Sequence, residues 1–164
     1  MPRLSSCQIA NQIFGCSVAD MPHDVDLPDP DDLTLSEADR RELIGWTANC
    51  VRRLLPVFTA HRPDDDRLAA ALAGAEQFQA GHMKVGPMRR LAFGCHAAAR
   101  DCTDPAAQAV ARTCGQAVAV AHMAGHARHI PRYTLKALTP DQLDAELAMQ
   151  RNTLPLRFRD YVYR

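Results

Sequence analysis

The sequence has no apolar run of about eighteen residues, the length a membrane-spanning helix needs, so no such span is encoded. It has no net charge either: 19 Lys and Arg stand against 19 Asp and Glu. Without a global positive excess to hold a phosphate backbone, nucleic acid is not an expected partner. None of Cys7, Cys16, Cys50, Cys95, Cys102 and Cys114 falls in a CxxC spacing, which excludes a zinc knuckle and a thioredoxin-like pair and leaves reduced, partly buried thiols. GxSxG, P-loop and GxGxxG strings are absent, so the familiar nucleophile and phosphate-binding motifs are excluded. Aromatics are scarce: five Phe, three Tyr and one Trp in 164 residues. Ala, by contrast, fills about one position in six. That bias favours helices over strands and predicts an all-α protein, one domain in size.

What is present is unevenly placed. Residues 20–66 carry 12 acidic and 5 basic side chains, whereas residues 67–136 carry 3 acidic and 9 basic. The chain divides into an acidic, Pro-rich amino-terminal arm (1–33), a helical domain (34–153) and an Arg/aromatic carboxy-terminal tail (154–164). Within the arm, Ile9, Ile13 and Phe14 suggest a short helix. The stretch from Leu4 to Cys16 has the outline of a signal peptide, and Phe14-Gly15-Cys16 that of a lipoprotein site. Gln8, Asn11 and Gln12 interrupt the apolar core such a leader needs, so a cytoplasmic protein is expected.

Helix signals follow one another closely. Thr34-Leu35-Ser36-Glu37 resembles a capping box, and Pro56 should bend or end the helix behind it. Asp64-Asp65-Asp66 opens a second helix with Gly81 as its stop, Gly86-Pro87 a third, and Asp104-Pro105 a fourth rich in small residues, expected at the centre. A fifth should run from about His126 to Leu138 and a sixth from Thr139-Pro140-Asp141. Short connections between them predict a compact bundle, or a helical-hairpin array, of five to six helices.

Two clusters carry the chemistry. His96, His122, His126 and His129 lie in the later helices, and His122 and His126 would share a face on a continuous helix, as metal-binding pairs do. No HExxH is present, and a metal would need a third ligand such as His96 or one of Asp64, Asp65 and Asp66. Buried, hydrogen-bonded imidazoles explain the histidines without a cofactor, and none is expected. Helix capping, with an ion pair to Arg62 or Arg67, explains the aspartates. Asp64, Asp65, Asp66, Arg67, His96, Arg100, His122 and His126 are therefore grouped as a functional or buried polar cluster.

A family resemblance rests on longer strings. Trp46-Thr47-Ala48-Asn49-Cys50-Val51-Arg52-Arg53-Leu54-Leu55-Pro56-Val57-Phe58 and Arg62-Pro63-Asp64-Asp65-Asp66-Arg67 resemble the opening helices of the immunity-five-like family of putative immunity proteins in bacterial polymorphic-toxin systems. The likeness continues through Cys95-His96-Ala97-Ala98-Ala99-Arg100, Asp104-Pro105-Ala106-Ala107, Ala121-His122-Met123-Ala124-Gly125-His126-Ala127 and Tyr133-Thr134-Leu135-Lys136-Ala137. It departs at Asn49, where the family favours Asp, and at Gly115-Gln116, where it favours Gly-His. The resemblance implies a helical, non-enzymatic cytoplasmic protein that binds and silences a cognate toxin by occlusion. The acidic residues Asp20, Asp24, Asp26, Asp29, Asp31, Asp32, Glu37, Asp39 and Glu42 form the expected partner-binding face, since charge of one sign steers a basic partner. The alternatives are a small metal-binding or hydrolytic protein using the His/Asp cluster, and a structural or regulatory homo-oligomer.

Overall fold

The computed structural model describes residues 26–164. Asp20, Asp24, Cys7, Cys16 and the short helix expected around Ile9 to Phe14 lie outside the described residues. Among the described residues seven α-helices follow one another: α1 (Glu37–Thr59), α2 (Arg67–Gln79), α3 (Val85–Asp101), α4 (Pro105–Ala119), α5 (His129–Ala137), α6 (Pro140–Thr153) and α7 (Arg159–Val162). Two 3-10 turns, Ala124–Arg128 and Leu156–Phe158, precede α5 and α7. The all-α class is as expected, and the count exceeds five to six because the tail contributes a helix of its own.

Local chemistry sets the boundaries. The cap of α1 is Ser36, whose hydroxyl accepts from Asp39 N at 3.1 Å and donates to the Asp39 carboxylate at 2.6 Å. The capping pair is thus Ser36 with Asp39, two residues beyond the expected box. Pro56 does not end α1, which continues to Thr59, and the Pro56 carbonyl accepts from Ala60 N at 3.1 Å. Gly81, at φ +81°, closes α2. His82 N donates to the Gln77 carbonyl and Gly81 N to that of Phe78, the paired bonds of a left-handed helix stop. Asp104 caps α4 through Ala107 N at 2.8 Å, with Pro105 in the first helical position.

Helix α4 lies at the centre, packed against α1, α2, α3 and α5. Ala107, Ala111, Cys114, Ala117 and Val118 are fully buried along it, and such small side chains let neighbouring axes approach closely. Leu43, Ile44, Val51, Leu54 and Phe58 of α1 and Leu68 and Phe78 of α2 fill the space around them. The carboxy-terminal tail and the segment around Pro30 to Asp32 close over this core: Phe158 and Tyr161 are buried, Tyr161 donates to the Asp32 carbonyl at 2.9 Å, and Arg128 and Arg164 both donate to Pro30 O. The carbonyl of Leu33 in turn accepts from Gly125 N at 2.9 Å.

Candidate functional site

The expected acidic face divides in two. Asp31 pairs with Arg164, Glu37 with Arg41, and Asp39 and Glu42 share Arg157, whose Nη1 lies 2.6 Å from Asp39. Burial pushes the Asp39 carboxyl up, but the bonds from Ser36 and Arg157 outweigh it and the net shift is downward. These four carboxylates are occupied by the protein's own arginines. Asp26, Asp29 and Asp32 are exposed and outside any ion pair among the described residues. Asp29 and Asp32 accept backbone N–H bonds from Asp31 and Thr34, both at 2.8 Å.

The second acidic cluster is a corner between α1 and α2. Asp65 takes both arms of Arg67, from Nε at 2.8 Å and Nη2 at 2.6 Å, and Arg67 also reaches Asp101 at 2.8 Å. The hydrogen bonds from Arg67 hold the Asp65 carboxyl at about 2 against the opposing effect of burial. Arg62 lies 3.4 Å away on the other side. Asp66 precedes α2 without a side-chain cap bond, and it is Asp65 that accepts from Arg67 N, at 3.3 Å. Asp64 is exposed. The corner is an ion-paired helix start, and its carboxylates are not among the charges that act on His96, His122, His126 or His129.

The histidines do converge. Helix α4 stops at Ala119, so His122 sits in a turn and His126 in the 3-10 segment rather than on one continuous helix. Their ring centroids are nevertheless 5.0 Å apart, and His129 follows 6.2 Å from His126. His126 Nδ1 is 2.7 Å from the amide oxygen of Gln116 on α4. His96 of α3 lies flat over Gly115, so close that a Cβ there would stand 2.7 Å from the ring. Burial, then the neighbouring His122, His129 and His96, lower His126 to about 4. Burial lowers the other three as well, helped by Arg100 and Arg112 at His96, Arg89 and Arg40 at His122, and Arg132 at His129. Near neutrality the cluster is a set of uncharged rings beside arginines. Among the described residues no group of three or more His, Cys, Asp or Glu side chains is placed to hold a metal ion.

Sequence reasoning grouped the histidines with Asp64 to Asp66 and passed over what surrounds them. On α3, Arg89, Phe93, His96 and Arg100 recur at helical spacing; on α5, His129, Arg132, Tyr133 and Lys136 do the same. Between them Arg112 and Gln116 line one side of α4, and Arg112, Tyr133 and Lys136 border a hollow of about 320 Å³. The signal was in the chain: no acidic residue occurs from Gln77 to Arg100 or from Pro105 to Pro140. The cysteines are the expected thiols, with Cys50, Cys95, Cys102 and Cys114 free and buried; burial raises Cys50 to about 12, so it is no nucleophile.

Residues 33–157 match the family model described as Imm-5 like putative immunity protein. No curated protein matches the chain, and no solved structure matches it.

Proposed function

The chain belongs to the Imm-5 like putative immunity protein family, and from that premise we propose that it binds a cognate bacterial toxin domain and silences it by covering a surface the toxin needs. The observation that carries this reading is the extent of the match, which takes in α1 to α6 and leaves out only the short α7. On this reading the protein acts without catalysis, in the cytoplasm of the cell it protects. The described residues fit a rigid binder: α1 to α5 share one core, and loops and tail are tied to it by Arg128, Arg157 and Tyr161. A preformed surface loses little freedom on association. No described helix is long and apolar enough to cross a membrane.

The test is rescue. The chain is co-expressed with each toxin domain encoded beside its gene, every toxin first shown to kill on its own. Survival with one of them is the expected result, and death with all of them overturns the reading. Reversal of Asp26, Asp29 and Asp32 to Lys asks whether the acidic stretch steers the partner, since these carboxylates are free of internal ion pairs.

A further inference from the structure

Within α3, α4 and α5 the charge left outside ion pairs is all positive. All three acidic residues of the 67–136 segment are engaged elsewhere: Glu76 by Arg52, Asp101 by Arg67, and Asp104 in capping α4 and facing His61 at 3.5 Å. Among the described residues, Arg89, Arg100, Arg112, Arg132 and Lys136 are in no ion pair. Helices α3 and α5 both pack on α4, which places the three side by side. The rings bind their outer sides into one surface, because His96 lies on Gly115, Gln116 joins His126, and His129 stands 6.4 Å from Tyr133.

We propose that this α3–α4–α5 face is where the partner docks, and that the partner presents an acidic protein surface to it. The inference rests on the neutralisation reading and adds the face and the sign of its charge. The occupant follows from charge and side-chain type. Arginines without counter-ions attract carboxylates and disfavour a basic partner. Phe93, 70% exposed at the middle of the α3 stripe, is an apolar anchor between Arg89 and Arg100, which lie about 16 Å apart along the helix. Arginine beside an exposed aromatic is the composition of a protein-interface centre. A nucleic acid is the weaker occupant, because 19 positive against 19 negative residues give no long-range attraction to a polyanion. Small side chains around Phe93, Gly94 and Ala97 among them, leave the stripe open to approach.

The experiment compares full-length chains in the rescue assay and by calorimetric titration with the purified toxin domain that wild type silences. One variant carries Arg89→Glu, Arg100→Glu and Arg112→Glu; a second carries Phe93→Ser alone; a third carries Asp26→Lys, Asp29→Lys and Asp32→Lys. Melting curves check that each is folded, and Phe93→Ser keeps the test alive if the triple arginine variant is not. The expected result is loss of rescue and on the order of 100-fold weaker binding for the first, a smaller loss for the second, and wild-type behaviour for the third. Rescue by the first two at wild-type level overturns the face while leaving neutralisation intact. Failure of wild type with every active toxin overturns neutralisation, and the face falls with it. A short DNA duplex bound by wild type, lost in the first variant and displaced by the toxin, would replace the acidic protein with nucleic acid and overturn the proposed occupant.

Discussion

His126 is the residue whose environment is most legible in a simple measurement. Its proton affinity is lowered from the usual 6.5 to about 4 by burial and then by its histidine neighbours. The folded state therefore takes up fewer protons than the unfolded one below pH 6.5, and stability present above that pH is lost as the pH falls toward 4. Urea midpoints, read from the single, buried Trp46, should drop across this window in wild type and less steeply in His126→Gln. Identical slopes would contradict the assignment. A second prediction concerns Arg157, which holds Asp39 and Glu42 and stacks 4.1 Å from the Phe158 centroid. Arg157→Ala should cost about 1 kcal/mol by chemical denaturation, more at low salt than at high. The sequence exposed the charge imbalance but not this pairing, because Arg157 and Glu42 stand 115 residues apart and local spacing is blind to them.

Elements are held by their ends and by close approaches. Gly81 is in the left-handed region, so Gly81→Ala should destabilise by about 1–2 kcal/mol in equilibrium unfolding; an unchanged midpoint would show that the α2 stop is not rigid. At Gly115 the constraint is space: Gly115→Ala drives His96 out of its seat, costing about 1–3 kcal/mol and disturbing the α3 stripe. A crystal structure of the variant with His96 unmoved would contradict this. Caps and prolines made most boundaries readable in the chain, as at Asp104-Pro105, Gly81 and Thr139-Pro140. Two places resisted. Pro56 lies near the end of α1, where its carbonyl still accepts a helical bond, so the helix outlasts it by three residues. Between Ala119 and His129 the chain leaves α geometry, and Gly125 N and Ala124 N turn to the carbonyls of Leu33 and Thr34, partners no local pattern announces.

The whole molecule depends on its carboxy-terminal tail being folded onto the bundle. Phe158, Tyr161 and Leu154 are buried, so deletion from Leu154 onward should lower the melting temperature sharply. A truncated chain that melts like wild type would contradict the core described above. At this scale, class and a central α4 were readable from alanine content and apolar periodicity. The surface was harder to read, because an acidic run in sequence became half-neutralised in space, while Arg112 of α4 and Lys136 of α5, distant in sequence, border one hollow. Under the proposed function, this protein silences a toxin by covering it. Titrating the purified chain into the toxin domain it rescues against, and following toxin activity, tests that directly. Covering predicts a linear fall that ends at one equivalent, with activity recovered when the complex is separated; silencing by a small fraction of an equivalent, or a toxin left inactive after separation, would contradict it.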